Sequence, residues 1–240
     1  MKLEDQISKW IRKKVEEAGA EGVIVGLSGG VDSSVVACLA KMAMKDKVLG
    51  LIMPCHSDPS DEHWADLMAE KLNMRKKRIV LDSVYDKLLE IFPSAGKLAL
   101  ANLKPRLRMT TLYYFANNLN YLVAGTGNKS EILIGYFTKY GDGGCDILPL
   151  GDLLKSQVRK LAVNLGIPDE IVKRTPSAGL WKEQTDEGEI GLSYSDLDRI
   201  ILAMESGKTD ALAPGMLARV KELKKRSEHK RSPVPVFKLD

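Results

Sequence analysis

The chain has 240 residues, enough for one sizeable hydrophobic core with a small appendage. Hydrophobic residues make up 44% of it and charged residues 28%, a composition typical of globular proteins. The 36 basic residues exceed the 32 acidic ones by four, an excess that suits anionic small molecules and is too small to indicate a nucleic-acid partner. The cysteines, Cys38, Cys55 and Cys145, are three in number and far apart, which argues against a disulfide framework and a cysteine-based metal site.

The N-terminal segment "MKLEDQISKWIRKKVEEAG" is typical of an amphipathic helix, with Ile7, Trp10, Ile11 and Val15 on one face. It lacks the apolar core of a signal peptide. No stretch of eighteen residues is uninterruptedly apolar. We therefore expect no membrane span and a cytoplasmic location.

Short apolar runs then alternate with helical patterns. The predicted strands cover 22–28, 48–55, 77–82 and 121–126, and the predicted helices cover 32–44, 60–72, 104–118 and 128–136. This β-α-β-α order indicates parallel strands with helices on both faces of the sheet. In such sheets the ligand crevice lies beyond the carboxyl ends of the strands. The segments "SGGVDS" and "GTGNKSE" both fall at these ends, so we expect them to face one crevice.

The pattern changes after residue 137. "TKYGDGGCDILPLGD" is a loop rich in Gly and Asp, and the helix that follows it is predicted to begin at Asp152 as its N-cap. The segment 175–193 shows little periodicity and is long for a structureless connection, which indicates a mobile functional loop. Two helices near 195–205 and 213–229 and an extended tail complete what we predict to be one domain over residues 1–240.

The turn at 28–33 joins a strand to a helix and has the composition of a phosphate-binding loop. Gly29 and Gly30 allow the backbone to approach a ligand closely, and the amides at the start of the helix point toward an anion. Ser28 and Ser33 add hydroxyl donors. Asp32 beside a phosphate is repulsive unless a cation lies between them, so this carboxylate implies Mg²⁺.

The loop lacks the lysine of the G-x-x-x-x-G-K-[ST] pattern, which reaches the β- and γ-phosphates for γ-phosphoryl transfer. The string "SGGVDSS" resembles instead the pyrophosphate loop of the N-type ATP pyrophosphatases. That resemblance implies cleavage of ATP between the α- and β-phosphates, with AMP placed on a carbonyl oxygen and then displaced by a nucleophile.

The second half of the chain narrows the resemblance. "GTGNKSE" followed by "GYFTKYGDGGCDILPL" is similar to the NAD synthetase family, and the similarity continues through "SAGLW", "LSYSD" and "EHKR" over essentially the whole chain. It implies an α/β fold of the adenine nucleotide alpha hydrolase-like type, a doubly wound parallel sheet with flanking helices and a C-terminal helical extension. It also implies that ATP adenylates deamido-NAD and that ammonia displaces AMP to give NAD. No glutaminase domain is recognisable, so we expect the ammonia-dependent form.

The resemblance also implies roles for individual residues, taken position by position. The ATP-binding residues would be Gly26, Leu27, Ser28, Gly29, Gly30, Val31, Asp32, Ser33, Thr126, Lys155 and Ser177, the last standing where the family commonly has Thr. The Mg²⁺ ligands would be Asp32 and Glu131. The deamido-NAD-binding residues would be Arg106, Lys139, Asp146, His229 and Lys230. No role is assigned to Asn128.

Two of these residues are predicted to act in catalysis. Lys155, with Mg²⁺, would neutralise the negative charge that develops on the leaving pyrophosphate. Asp146 is a hypothesis for the group that binds ammonium and removes its proton. Since water hydrolyses an acyl-adenylate, we also expect the segments 56–62 and 175–193 to become ordered over bound ATP and deamido-NAD.

The resemblance also implies a homodimer with the substrate bound across the interface. The predicted helix 104–118 is apolar on more than one face, which fits a helix between the core and a partner. A core helix within one subunit fits equally well. Three rival functions remain: a nucleobase-modifying enzyme of the same superfamily, a non-catalytic nucleotide sensor, and an amide-forming ligase for another acid.

Overall fold

The computed structural model describes residues 1–181 and 183–239. Its four strands are β1 (Gly22–Gly26), β2 (Val48–Ile52), β3 (Arg75–Arg78) and β4 (Tyr121–Ala124). All neighbouring strands pair in parallel, in the order β3-β2-β1-β4. Strands β1, β2 and β3 follow one another across the sheet, and β4 then pairs with the other edge of β1. The topological switch point therefore lies between β1 and β4, where an α/β sheet forms its ligand crevice.

Twelve helices surround or follow the sheet in the described part of the chain. They are α1 (Leu3–Glu17), α2 (Val31–Met44), α3 (Pro59–Lys71), α4 (Asp82–Ile91), α5 (Lys97–Leu119), α6 (Lys129–Ile134), α7 (Lys155–Asn164), α8 (Asp169–Val172), α9 (Asp186–Ile190), α10 (Tyr194–Ser206), α11 (Pro214–Arg226) and α12 (Glu228–Arg231).

The helices cover both faces of the sheet. One core packs α1, α2 and α7 around residues such as Ile11, Leu39 and Val158. The other packs α4 and α5 around Ile24 and Leu51. Helices α6, α10 and α11 form a third cluster beyond the sheet. The predicted doubly wound α/β fold with a C-terminal helical extension is confirmed.

Several predicted boundaries were wrong for identifiable reasons. The third strand lies at Arg75–Arg78 rather than 77–82, and all four of its residues are exposed and basic, as suits an edge strand that must not pair further. Helix α4 was not predicted, because it buries only Tyr85 and so carries a weak pattern. Helix α5 begins at Lys97 instead of 104 and continues through Pro105.

One helix cap also differs from its prediction. Asp58 caps α3, because its carboxylate accepts a hydrogen bond from the Ser60 N–H at 2.8 Å and Pro59 takes the first helical position. Asp152 does not cap α7. That helix begins at Lys155, where the hydroxyl of Ser130 accepts the Lys155 N–H at 3.0 Å. Asp152 instead pairs with a lysine on α6 at the surface.

Candidate active site

A single large cleft of about 1330 Å³ opens at the carboxyl ends of β1 and β4. The turn at 28–33 forms one wall, and its hydroxyls bond within the turn. The Oγ atoms of Ser28 and Ser33 lie 3.0 Å apart, and the Ser33 hydroxyl donates to the Gly30 carbonyl at 3.0 Å. Gly30 is the N-cap of α2 and offers no side chain. The first amides of α2 are therefore left without a side-chain cap at the place where phosphate is expected.

Gly29 has a packing role that the sequence did not predict. It is not among the residues that line the cleft, although the other residues from Gly26 to Ser33 are. Its φ is +74°, and a methyl group there would overlap the Asp61 carbonyl oxygen and lie 3.0 Å from the Trp64 Cβ. The glycine thus allows α3 to pack on the turn, and its contact with ATP stays a prediction.

Lys155 reaches the turn from α7, 123 residues further along the chain. Its Nζ donates to the Asp32 carboxylate at 2.5 Å and to that of Glu131 at 3.0 Å. The lysine is only 2% exposed. Such a buried cation is tolerated because two carboxylates and their hydrogen bonds compensate for its lost hydration.

Asn128 completes this cluster, although no role was assigned to it from the sequence. Its Nδ2 donates to Asp32 at 2.9 Å, while its Oδ1 accepts the Glu131 N–H at 3.1 Å. The Glu131 carboxylate accepts the Asn128 N–H in return, which forms a capping box at the start of α6. The N-x-x-E spacing in "GTGNKSE" was the sequence signal for this residue. Asn128 thereby orients both predicted metal ligands.

Two tyrosines extend the network into the C-terminal third of the chain. The Tyr194 hydroxyl lies 3.0 Å from a Glu131 oxygen and 3.0 Å from an Asp186 oxygen. The Tyr136 hydroxyl donates to Asp186 at 3.0 Å and to Glu189 at 2.7 Å. The segment around α9 is therefore bonded to the same carboxylate that meets Lys155.

Burial and charge shift the titration of this cluster. Burial raises the pKa of Glu131 to about 7, against the opposing attraction of Lys155. Burial likewise raises the pKa of Asp186. Burial alone would lower the pKa of Lys155, but the adjacent carboxylates of Asp32 and Glu131 raise it overall. The ammonium is therefore the charged form at neutral pH, and the carboxylates hold it in the cleft.

The remaining predicted ATP-binding residues, Thr126 and Ser177, both line the cleft. Thr126 follows β4, and Ser177 lies in the segment 175–193, where its hydroxyl accepts the Gly179 N–H at 3.1 Å. The structure thus brings together every predicted ATP-binding residue except Gly29.

The predicted deamido-NAD-binding residues divide into two groups. His229 and Lys230 line the cleft, and Lys230 Nζ donates to the Gly135 and Phe137 carbonyls. Arg106 and Lys139 do not line it. They lie close together, since the Lys139 carbonyl accepts from Arg106 at 3.4 Å and Lys139 Nζ donates to the His229 carbonyl at 2.6 Å.

Asp146 also lies outside the cleft. One carboxylate oxygen accepts the Tyr113 hydroxyl at 2.8 Å, and the other accepts the Val123 N–H at 2.7 Å. The side chain thus holds the loop after residue 137 against β4 and α5. The hypothesis that Asp146 takes a proton from ammonium stays a prediction.

The two segments predicted to order over substrate are in contact. Arg174, just before the segment 175–193, donates to the Asp61 carboxylate in the segment 56–62 and to the Ser60 hydroxyl at 3.3 Å. The later segment is not wholly irregular, because it contains α9. Its residue 182 lies outside the described residues.

Arg108 is a cleft residue that the sequence prediction missed. It projects from α5, donating to the Met53 carbonyl at 3.0 Å and to the Ser57 hydroxyl at 3.1 Å. Burial lowers its pKa. One turn of helix separates it from Lys104, so the "KPRLR" run in the sequence was the signal for a cationic face of α5.

The described residues contain no group of three or more His, Cys, Asp or Glu side chains arranged to hold a metal ion. Asp32 and Glu131 remain a two-carboxylate set, the number that Mg²⁺ commonly takes from protein when phosphates supply other ligands. None of the helices in residues 1–181 and 183–239 combines the length and apolar character needed to cross a bilayer.

A parallel α/β sheet, a glycine-serine turn at its switch point and a buried lysine between two carboxylates define a nucleotide-binding enzyme. Comparison with known proteins gives the particular family. The family model described as NAD synthase matches residues 3–234. The chain belongs to this family, whose members are ligases that form a C–N bond.

Individual relatives support the same assignment. An NH(3)-dependent NAD(+) synthetase from Carboxydothermus hydrogenoformans is 50% identical over 95% of this chain and 93% of its own. One from Methanocaldococcus jannaschii is 48% identical over 96% and 94%. Among solved structures, an NMN synthetase from Francisella tularensis has a TM-score of 0.90 and 36% identity, covering 99% of this chain and 98% of its own. An NH3-dependent NAD synthetase from Campylobacter jejuni has a TM-score of 0.87 and 30% identity, covering 98% and 97%.

Proposed function

We propose that this chain amidates deamido-NAD with ammonia and ATP, giving NAD, AMP and pyrophosphate by way of an adenylated carboxylate. This would be the final step of NAD biosynthesis. The family and the cleft support the proposal together, because the cleft combines a phosphate-binding turn with a cation that the turn itself lacks.

The observation that carries the proposal is the position of Lys155. The turn has no lysine for the γ-phosphate, and the buried ammonium meets Asp32 at the first turn of α2 instead. With the β- and γ-phosphates on the amides of α2, Lys155 is available to neutralise the leaving pyrophosphate as the α-phosphate is attacked. This arrangement suits AMP transfer rather than γ-phosphoryl transfer.

The donor set also fits Mg²⁺. Asp32 and Glu131 are 17% and 15% exposed, so both carboxylates can reach a ligand in the cleft while Asn128 and Lys155 hold them in place. When bound, Mg²⁺ would supply charge neutralisation on the ATP phosphates. Thr126 and Ser177, which both line the cleft, would contribute hydroxyls to ATP.

Only some of the predicted deamido-NAD-binding residues line the cleft of their own chain, and this division favours a homodimer. His229 and Lys230 would act in the cleft of their own chain, whereas Arg106, Lys139 and Asp146 would meet substrate held partly by a second copy. Helix α5 packs one face on β1 and β4 and leaves Tyr114 69% exposed on another. Light scattering after gel filtration should give twice the chain mass, and a monomer at micromolar concentration would exclude a shared site.

The decisive test of function is to incubate the protein with Mg-ATP, deamido-NAD and ammonium chloride and to measure all products. We expect AMP, pyrophosphate and NAD in equal amounts. Formation of ADP would contradict cleavage between the α- and β-phosphates. AMP without NAD would indicate a ligase for another acid.

A second candidate function follows from one structural relative. The Francisella tularensis protein, similar over 99% of this chain, is an NMN synthetase. This fold therefore also occurs in an enzyme named for making the mononucleotide. Comparing kcat/KM for nicotinate mononucleotide with that for deamido-NAD distinguishes the two, and we expect the dinucleotide to be preferred. The cytoplasmic location and the absence of a nucleic-acid partner stay predictions from the sequence.

A further inference from the structure

A second, smaller pocket of about 250 Å³ lies beside the main cleft, between α4, α5 and the segment 175–193. Its lining combines two lysines, three rings and small or aliphatic side chains: His56, Tyr85, Lys97, Leu100, Ala101, Lys104, Leu180 and Trp181. By its share of liquid volume, this space corresponds to about eight water molecules. His56, Leu180 and Trp181 also line the main cleft, so the two cavities adjoin.

Lys104 is the unusual residue of this pocket. It is only 7% exposed, yet its ammonium forms no hydrogen bond or ion pair with any residue that the structure describes. Its Nζ lies 5.7 Å from the centroid of the Tyr85 ring. Burial lowers its pKa. Because the ammonium itself keeps access to the pocket, an anion bound there would supply the partner that this mostly buried lysine lacks among the described residues.

Two further cations of α5 lie on either side of Lys104 along the helix. Lys97 lies two helical turns before Lys104 on the same face of α5, and Arg108 lies one turn after it. Within the described residues, no carboxylate pairs with any of the three. The nearby acids Asp82 and Asp86 are hydrogen-bonded to His56 instead, each at 2.7 Å.

Backbone donors at the helix start reinforce this charge. Gly96 is the N-cap of α5 and has no side chain to accept a hydrogen bond. The first amides of this 23-residue helix therefore have no side-chain cap at the mouth of the pocket. Lys97, Lys104, the uncapped helix amides and the aromatic walls together form a site suited to an anion. Arg108 lines the adjoining main cleft instead.

The geometry points to a binding site for a phosphate-class oxyanion in this pocket, held by Lys104 and Lys97 and bounded by Trp181. The Lys97 Nζ lies 4.1 Å from the centroid of the Trp181 ring. An anion bound there would therefore contact the segment 175–193 as well as α5. Inorganic phosphate and pyrophosphate share the required chemistry, and pyrophosphate is also a product of the proposed reaction.

Calorimetric titration of the full chain tests the site, with the main cleft first occupied by Mg²⁺ and α,β-methylene-ATP. The probes are inorganic phosphate in one arm and pyrophosphate in the other, at constant ionic strength. We expect one additional anion to bind per chain. If pyrophosphate binds more tightly than inorganic phosphate, the site is assigned to the reaction product. If pyrophosphate binds equally or more weakly, the site is assigned to free phosphate.

Lys104→Met should weaken this binding at least tenfold, because methionine retains the length of the stem without the charge. Lys87→Met is the matched control, since Lys87 lies on α4 in an exposed pair with Glu90. Lys97→Met, at the exposed rim, gives an independent test if the buried substitution fails to fold. Unchanged affinity in both pocket variants, or no second anion in the wild-type chain, would overturn the proposal.

Discussion

The two sides of the cleft are built in different ways. On the phosphate side, Asp32, Glu131, Asn128 and Lys155 come from three separate helices and satisfy one another through hydrogen bonds. On the other side, exposed residues at the start of the segment 175–193, such as Ser177, make local bonds, and Arg174 connects to Asp61 on the opposite wall. The later residues of that segment, around α9, are bonded to the phosphate side through Tyr136 and Tyr194. The phosphate side is preorganised, whereas residues 175–181 are held by few side-chain hydrogen bonds.

This difference separates two tasks. Charge stabilisation in a transition state requires groups that do not reorganise during the reaction, and this is the role that we propose for the buried cluster around Lys155. Admission of substrate requires a wall that can open, and segments with few buried contacts open at low free-energy cost. Substitutions on the phosphate side should therefore have large effects, and those on the segment 175–193 small ones.

Lys155→Met should have the largest effect. It removes the cation that faces Asp32 and Glu131, and loss of one preorganised charge-stabilising group commonly lowers kcat by about 100- to 1000-fold. It also leaves two carboxylates close together in a buried site, a change that costs roughly 3–5 kcal/mol of unfolding free energy in comparable buried pairs. Steady-state kinetics and urea unfolding measure the two effects separately.

Lys160→Met on the same helix is the control, because Lys160 is exposed. It should retain activity and stability near those of the wild type. If Lys155→Met kept more than a tenth of the wild-type kcat with saturating substrates, the phosphate side would not supply the charge stabilisation assigned to it.

The adjacent glycines of the turn provide the next comparison. Gly29→Ala should reduce the unfolding free energy by roughly 1–3 kcal/mol or more, because an L-residue is strained at φ +74° and the methyl group would strike α3. Gly30→Ala has φ −87° and meets only the Ser28 hydroxyl, at 3.4 Å. It should fold normally and weaken ATP binding, since Gly30 lines the cleft.

Thermal unfolding and ATP titration together separate the two variants. Equal destabilisation by both would mean that the packing of α3 on Gly29 is not the reason for that glycine. A normal ATP affinity in Gly30→Ala would place the phosphates away from the start of α2.

The sequence predicted the parallel sheet and the crevice at the carboxyl ends of its strands because these depend on short-range patterns, whereas the ATP-binding set was implied by the family resemblance. Apolar runs of five or six residues predict strands, and a strand-turn-helix with two glycines predicts a phosphate loop at their ends. Asn128 shows what such local patterns cannot predict. Its N-x-x-E capping box is visible in the sequence, but its hydrogen bond to Asp32 joins positions 96 residues apart. Likewise, nothing local shows that α3 packs on Gly29.

Asp146→Asn tests a residue that belongs to neither of these two sides. Its carboxylate bonds Tyr113 and the Val123 N–H, so the amide should lower the unfolding free energy by about 1–2 kcal/mol through the weakened charge-assisted bonds. We expect the pH profile of kcat at saturating ammonium to keep its shape. A displaced or flattened acidic limb would instead support the hypothesis that Asp146 takes a proton from ammonium.

The smallest effect is expected from Arg174→Gln. Arg174 and Asp61 are 30% and 26% exposed, and ion pairs near the surface contribute only about 0–1 kcal/mol. Stability should therefore change little, whereas the segments 56–62 and 175–193 should be cleaved faster by a protease in the free protein. Adding ATP and deamido-NAD should restore most of the protection. Lys173→Gln, which removes an exposed pair with Asp169 within α8 and its cap, is the neighbouring control. Equal cleavage of both variants, with and without ligands, would show that these two segments do not close over substrate together. That result would contradict the inference that one side of the cleft is rigid and the other opens.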